Sequence, residues 1–126
     1  MKLNHECVRD LLLTIEEEVP FNGLLRLDRL EQFSTLSNYS HEEILYCLSK
    51  LHEAKFIHAK EIRFLEGLKD IYVQELTWDG HAFLDNIRDP KVWKKVKEKA
   101  SFLKSVSISM LGELGSNVVK KSLGLE

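Results

Sequence analysis

The stretch Gln74-Glu75-Leu76-Thr77-Trp78-Asp79-Gly80-His81-Ala82-Phe83-Leu84 decides the fold. It begins at the end of a β-rich run, Ile71–Leu76, which favours a strand. Thr77 then suits a helix N-cap, because its hydroxyl can accept a hydrogen bond from an unsatisfied amide of the first turn. Gly80 leaves room for close packing, and the apolar face of the new helix is formed by Phe83, Leu84 and Ile87. The stretch therefore predicts a strand that ends in a capped helix docked on a core.

Upstream of this stretch, the sequence predicts a hairpin preceded by a helix. Residues 56–62 form a second strand-like run, and the polar, glycine-containing segment 66–70 predicts the hairpin loop. Ser40 and Glu43 have the spacing of a capping box, which starts a helix that reaches about Ala54. One face of that helix is apolar, with Ile44, Leu45, Leu48 and Leu51.

The first forty residues complete the pattern. Asn4 can cap a helix that ends near Glu18, and residues 24–27 can form a brief strand. Asp28 and Glu31 have the spacing of another capping box, for a short helix. The resulting order of helix, short strand, two helices, strand, loop, strand and helix is that of a winged helix-turn-helix. We expect this domain to cover residues 1–89.

The remaining residues, 90–126, predict a basic, amphipathic helical extension packed on that domain. Pro90 suits the first position of a long helix, which Gly112 and Gly115 interrupt, and residues 116–123 can form one more short helix. The apolar stripe partly follows a heptad and indicates a homodimer through this helix. Its dimerisation candidates are Trp93, Val96, Ala100, Leu103 and Met110. The expected fold class is mostly α with a small β-hairpin (α+β).

Composition bounds the functional classes. The chain has 126 residues and a formal net charge of −2, so it fits one small domain and is not a strongly basic protein. That sum hides an acidic body, −7 through residue 89, and a basic tail, +5 from residue 90. No long apolar run predicts a membrane span and no leader pattern is present, so we expect a cytoplasmic protein without a membrane partner. The two cysteines, Cys7 and Cys47, form no CxxC pair and are expected to be free thiols.

Two segments carry a resemblance to known proteins. Residues 74–84 resemble the exit motif "strand, L-T-x-x-G-x-x-x-L, helix" of many winged-helix regulators. Residues 1–13 and, more distinctively, 76–93 resemble the bacterial and prophage family called domain of unknown function 2513. This resemblance implies a small cytosolic protein of a bacterium or phage. It transfers no activity and no site residues.

The topology makes double-stranded DNA the first candidate ligand, in a regulatory role. Base contacts would come from the predicted recognition helix, and phosphate contacts from that helix, the wing and the basic tail. The candidate nucleic-acid-binding residues are His41, Tyr46, Lys50, Lys60, Arg63, Lys69, Lys94 and Lys95. However, Glu42 and Glu43 occupy the first turn of the recognition helix, where carboxylates repel phosphate.

The alternative is a protein-protein interaction module, such as a phage-host or regulatory adaptor, that uses the winged-helix surface without DNA. Surface charge discriminates the two hypotheses, because an acidic face on the recognition helix favours a protein partner. The segment 91–99 leaves three roles open. It is a solvated helix packed on the core or on a second subunit, a phosphate-binding helix, or a helix on an anionic membrane surface.

Catalytic and metal sites are not expected, and neither is a cofactor. His81 and Asp85 have i, i+4 spacing and could form an acid–base pair, with Asp79 nearby, but no nucleophile accompanies them. Cys47 with His52 and His58, or His5 with Cys7, match no zinc spacing. Trp78 and Trp93 are expected to pack the C-terminal helix on the core rather than to form a binding surface. The sequence thus predicts a binding protein and not an enzyme.

Overall fold

The computed structural model describes residues 1–101 and 105–125, and it confirms a mostly helical α+β fold. The described chain forms two compact units, residues 1–81 and 82–126. Its elements are α1 (His5–Glu18), β1 (Leu25–Arg26), α2 (Leu27–Leu30), a 3-10 turn (Ser34–Leu36), α3 (His41–Glu53), β2 (Ile57–Phe64), β3 (Gly67–Leu76), α4 (Trp78–Ile87), α5 (Pro90–Ala100) and α6 (Ile108–Ser122).

The first unit packs its helices on one face of a three-stranded antiparallel sheet with the order β1-β3-β2. Ile71 and Val73 on β3 are two residues apart and fully buried, so their side chains share one face of the strand, and α1 packs against this strand. The core of this unit includes Leu11, Leu12, Ile15, Leu27, Leu30, Leu36, Ile44, Leu48, Ile57 and Ile71. The sheet thus fixes the β2–β3 hairpin beside the helices.

Three of the predicted helix starts in this unit are confirmed. Asn4 accepts a hydrogen bond from the Cys7 amide at 3.2 Å, and Ser40 accepts one from the Glu43 amide at 3.1 Å. The Glu43 carboxylate in turn accepts from the Ser40 amide at 3.3 Å, which completes the capping box. Thr77 accepts from the Gly80 amide at 3.0 Å. In each case the cap predicted from the local sequence forms in the folded protein.

Two local predictions in the first unit are wrong. Asp28 does not cap α2, because the N-cap is Arg26, two residues earlier, and it makes no side-chain cap bond. The helix follows β1 directly, so Asp28 falls inside its only turn. The hairpin loop is also shorter than segment 66–70, because β3 already begins at Gly67. Asp70 belongs to the strand, where its carboxylate accepts a hydrogen bond from the Arg26 guanidinium on β1 at 2.8 Å.

The second unit corrects the prediction of one long C-terminal helix. Helix α5 ends at Ala100, and α6 starts anew after Ser107, whose hydroxyl accepts from the Met110 amide at 3.1 Å. The N-cap at Ser107 therefore begins a separate helix, although the apolar stripe of the sequence predicts a single long one.

Gly112 and Gly115 do not interrupt a helix, because both are buried within α6. A Cβ at Gly115 would lie 2.2 Å from the Asn86 carbonyl oxygen, so this glycine allows α6 to approach the end of α4. Residues 116–123, predicted as a separate short helix, instead continue α6 through Ser122.

The C-terminus of α3 contains a strained residue. The Lys55 amide donates to the His52 carbonyl at 3.0 Å and the Phe56 amide donates to the Leu51 carbonyl at 2.9 Å, which is a Schellman motif. Lys55 has a φ of 64°, in the left-handed region that favours glycine. Helix α6 ends in the same motif with Gly124 at the equivalent position, φ 75°.

Lys55→Gly should therefore stabilise the protein. Relief of the left-handed strain exceeds the added entropy of the unfolded chain, and we expect a gain of about 0.5–1 kcal/mol in the free energy of unfolding. Urea denaturation followed by circular dichroism measures it. The matched change Lys60→Gly, within β2, should instead destabilise; equal effects of the two changes would contradict this account.

Gly80 is the closest packing point of α4 in the first unit. A Cβ there would lie 2.0 Å from the Phe56 carbonyl oxygen, and backbone cannot yield as a side chain does. Gly80→Ala should lower the free energy of unfolding by about 2–3 kcal/mol, because α4 must move away from the turn. The exposed change Ala82→Ser should stay within about 0.5 kcal/mol in the same denaturation experiment. A Gly80→Ala protein as stable as the wild type would refute the close approach.

Candidate functional site

The solvent-facing side of α3 forms a strip of four residues, Glu42, Tyr46, Ser49 and Glu53, at successive turns of the helix. Glu42 and Glu53 are exposed, while Tyr46 and Ser49 are half-buried. Tyr46 donates from its hydroxyl to the Met1 carbonyl at 3.3 Å, and Ser49 donates to the Tyr46 carbonyl at 2.7 Å. We call these four residues the α3 strip. It presents a carboxylate at each end and an aromatic ring between them.

Lys50, the one lysine on α3, is held by its neighbours. Its ammonium lies 2.9 Å from a Glu53 carboxylate oxygen and 5.6 Å from the centre of the Tyr46 ring. The hydrogen bond and the charge of Glu53 raise the pKa of Lys50, and the hydrogen bond and the charge of Lys50 lower the pKa of Glu53. The pair is fully solvent-screened, so it adds little stability, but it partly neutralises the cation that the sequence assigned to phosphate contact.

The first turn of α3 is also acidic. His41 is exposed, and its Nδ1 contacts a carboxylate oxygen of Glu31. Glu43 serves the capping box and accepts a hydrogen bond from the Asn4 amide nitrogen at 3.2 Å. Glu42 stays exposed beside them. This end of α3, which enters the major groove in a DNA-reading helix-turn-helix, therefore presents carboxylates.

Three residues of the hairpin are predicted phosphate contacts, and one of them is already engaged by a carboxylate. Arg63 donates to a Glu61 carboxylate oxygen at 2.8 Å, and the other oxygen of Glu61 lies 2.9 Å from His52 Nδ1. Lys60 on β2 and Lys69 on β3 are exposed. The hairpin thus offers two exposed lysines and one arginine engaged by a carboxylate.

The hairpin tip is apolar, which sequence reasoning did not single out. Phe64 is 63% exposed and Leu65 is fully exposed. Exposed large apolar side chains at a hairpin tip are typical of contact surfaces for partner molecules.

A cleft of about 510 Å³ lies where the C-terminal turn of α3, the start of β2 and the first turn of α4 meet. We call it the Trp78 cleft. Its lining residues are His52, Glu53, Lys55, Ile57, His58, Thr77, Trp78 and Asp79. Glu53 belongs to both the cleft and the α3 strip, so the two surfaces are continuous.

Trp78 corrects the expectation that both tryptophans pack in the core. Its side chain is 87% exposed, whereas Trp93 on α5 is buried at 4%. Trp78 is the first residue of α4, directly after the Thr77 cap, and the buried positions of the helix lie further along. The cap at Thr77 places residue 78 in the solvent-facing first turn of α4. The position of Trp78 directly after this cap is the feature of the sequence that indicates its exposure.

The predicted residues of the second unit are divided between two helices. Lys94 and Lys95 are exposed on α5, and Lys97 lies 5.8 Å from the centre of the Trp93 ring. Of the dimerisation candidates, Trp93 and Val96 are already buried within a single chain. Ala100 ends α5 and is half-buried, Met110 is 45% exposed on α6, and Leu103 lies outside the described residues. These residues do not form one continuous helical stripe, and the homodimer stays a prediction.

The candidate acid–base residues have structural partners. His81 Nδ1 lies 3.4 Å from a carboxylate oxygen of Glu16 on α1. Asp85 accepts a hydrogen bond from Arg88 at 2.9 Å within α4. Cys7 and Cys47 are both free and buried. The neighbouring Cys7 thiol and burial raise the pKa of Cys47, so it stays a protonated thiol rather than a nucleophile.

Candidate metal-binding groups and membrane-spanning helices are absent from the part of the chain that the structure describes. Residues 1–101 and 105–125 contain no group of three or more His, Cys, Asp or Glu side chains placed to hold a metal ion. Among the helices in those same ranges, none has both the length and the apolar character needed to cross a membrane.

Comparison with known proteins gives a family. Residues 2–107 match the model of a family described as "Hypothetical protein (DUF2513)". The chain is 30% identical over 110 residues to an uncharacterized protein of Haemophilus influenzae, covering 87% of this chain and 85% of that protein. No solved structure matches. The family match spans most of the chain, including residues 2–81 of the first unit, and so this protein belongs to the DUF2513 family.

Proposed function

We propose that the first unit is a winged helix-turn-helix that acts as a regulatory binding module and not as an enzyme. The order α1-β1-α2-α3-β2-β3 and the pairing of β1 with the hairpin support this topology. In it, α2 and α3 form the helix-turn-helix and the β2–β3 hairpin is the wing. The predicted acid–base candidates have separate partners, since His81 contacts Glu16 and Asp85 accepts a hydrogen bond from Arg88.

The ligand of this module is a protein that presents basic groups to the α3 strip. One observation carries the proposal: the exposed side of α3 has Glu42 and Glu53 at its ends, and its only lysine is paired with Glu53. The charge of the whole unit agrees, because residues 1–81 contain nine Lys and Arg against fifteen Asp and Glu, a formal −6. Such a surface repels phosphate and attracts cationic side chains.

The α3 strip is tested with DNA and with a partner. Glu42→Gln should leave the affinity for random-sequence DNA unchanged or raise it, because a carboxylate that faces no base only repels phosphate. Fluorescence anisotropy with a labelled duplex at low salt measures this affinity. Glu17→Gln, an exposed position on α1, is the matched control. A Glu42→Gln protein that binds DNA more weakly than the control would show that α3 reads DNA and would overturn the proposal.

Affinity capture from nuclease-treated host extract tests the same strip directly. A protein partner should be retained by the wild type and by the double change Glu17→Lys and Glu18→Lys. It should be lost with Glu42→Lys and Glu53→Lys, because the charge reversal removes the attraction. A partner retained equally by both double variants would not use the α3 strip.

A second candidate function is DNA binding through phosphate contacts alone. Its support is the exposure of Lys60 and Lys69 on the wing and of Lys94 and Lys95 on α5, within a second unit of formal charge +4. Such contacts need no reading helix, because counterion release from phosphates is independent of sequence.

This candidate predicts a specific salt dependence. Removing Lys60 and Lys69 together by alanine substitution should lower the slope of log affinity against log salt by about two, one for each lost phosphate contact. Anisotropy titrations at several salt concentrations measure the slope, with Arg29→Ala on α2 as the control. An unchanged slope would exclude the wing from DNA binding.

A further inference from the structure

We propose that the Trp78 cleft is the anchor site of the module and takes an arginine side chain from a basic segment of the partner. This inference rests on the proposed protein-binding function and adds the residue that is recognised and the atoms that recognise it. Trp78, Asp79 and Glu53 carry it.

The backbone that carries the exposed Trp78 side chain is held in place on both sides. On one side of it in the chain, the Thr77 hydroxyl donates to the Lys55 carbonyl at 2.6 Å and accepts from the Gly80 amide. On the other side, Gly80 is packed so closely on Phe56 that no Cβ fits. Both bonds fix the backbone around Trp78, so little of it must be ordered on binding. Tryptophan is among the residue types enriched at interaction hot spots.

The charges around the ring select a cation. Two carboxylates line the cleft, those of Asp79 and Glu53, beside the ammonium of Lys55. The Glu53 carboxylate also contacts the Lys50 ammonium at 2.9 Å, so Asp79 is the acceptor proposed for the cation. A guanidinium can stack on the indole face and donate its N–H groups to a carboxylate at the same time, which an ammonium does less well. Nucleic acid fits this cleft poorly, because its phosphates would meet the same carboxylates.

The cleft continues a surface already assigned to the partner. Glu53 ends the α3 strip and lines the cleft, so a segment lying along α3 reaches Trp78 without leaving the acidic surface. Two histidines also line the cleft: His52 Nδ1 contacts Glu61, and His58 is exposed at the start of β2.

The test uses the indole N–H signals of the whole protein in ¹⁵N-correlated NMR spectra at about pH 8. The chain has two tryptophans, so a Trp78→Phe variant assigns the Trp78 signal by its loss. The probe is the peptide Gly-Arg-Gly-Arg-Gly, and its matched control is Gly-Gln-Gly-Gln-Gly. We expect the arginine peptide to shift the Trp78 signal saturably and less at high salt, and the glutamine peptide to leave it in place.

Substitutions test which charged residues of the protein affect the affinity for the arginine peptide. Asp79→Asn should lower the affinity for the arginine peptide by about threefold, which is the effect of losing one exposed ion pair. Lys55→Gly should raise the affinity for the arginine peptide by about twofold, because the competing ammonium is removed. Glu66→Gln, an exposed acid at the hairpin tip, should change nothing. Thermal unfolding followed by circular dichroism confirms that each variant is folded before its affinity is compared.

Several outcomes would overturn the inference. They are no shift with the arginine peptide, an equal shift with the glutamine peptide, or an Asp79→Asn affinity equal to the wild type. A Trp78 signal that moves with protein concentration alone would make a second copy of the chain the occupant, and one moved by an oligonucleotide would make it nucleic acid. If the peptide fails but partner capture still depends on Glu42 and Glu53, only the anchor is wrong. If the peptide binds but capture fails, the cleft stands and the proposed function falls.

Discussion

The contact between the first turn of α4 and the turn that follows α3 is the constraint on which the first unit depends. At this point the Gly80 backbone lies against the Phe56 carbonyl, and Thr77 bonds to both Lys55 and Gly80. The Lys55 conformation is left-handed in order to bring residue 56 there. Three local features, a cap, a glycine and a strained turn, thus join the end of α3, the sheet and the start of α4. The same contact creates the cleft and leaves Trp78 facing solvent.

The proposed function depends on surface charge rather than on the topology. The proposed winged-helix topology does not by itself specify a ligand, because function depends on the side chains on the surface. In this chain Lys50, Arg63 and Arg26 each have a carboxylate within 2.9 Å. The surface carboxylates Glu42 and Asp79 are exposed. Three of the nine cationic residues of the first unit are therefore locally compensated, and the net charge of the unit is negative.

The order of elements could be predicted because its signals are local. Asn4, Ser40 and Thr77 cap helices through bonds to residues three positions later, so the sequence alone contains both partners. Asp28 has the same spacing and fails, since α2 has only four residues and begins directly after β1. The prediction of one long C-terminal helix is wrong because the apolar spacing of the sequence continues across Ser107. In the structure the Ser107 hydroxyl instead caps the start of a new helix.

The candidate site was less predictable, because which charges pair depends on residues distant in the chain. The contact of His52 with Glu61 joins α3 to β2, and that of His81 with Glu16 joins α4 to α1. Neither pair has a helical spacing that a sequence reveals. The Trp78 cleft combines three elements in the same way, so only its tryptophan could have been noticed in advance, from its position directly after a cap.

The two thiols give the first unit an internal reporter. Cys7 on α1 and Cys47 on α3 have exposed fractions of 0% and 1%, and together they lie where the two helices pack. An alkylating reagent can reach either sulfur only when α1 separates from α3, so the rate of alkylation measures that opening. Since α3 carries the acidic strip, the thiols offer a way to observe whether a bound molecule holds this helix in place, without any label on the binding surface.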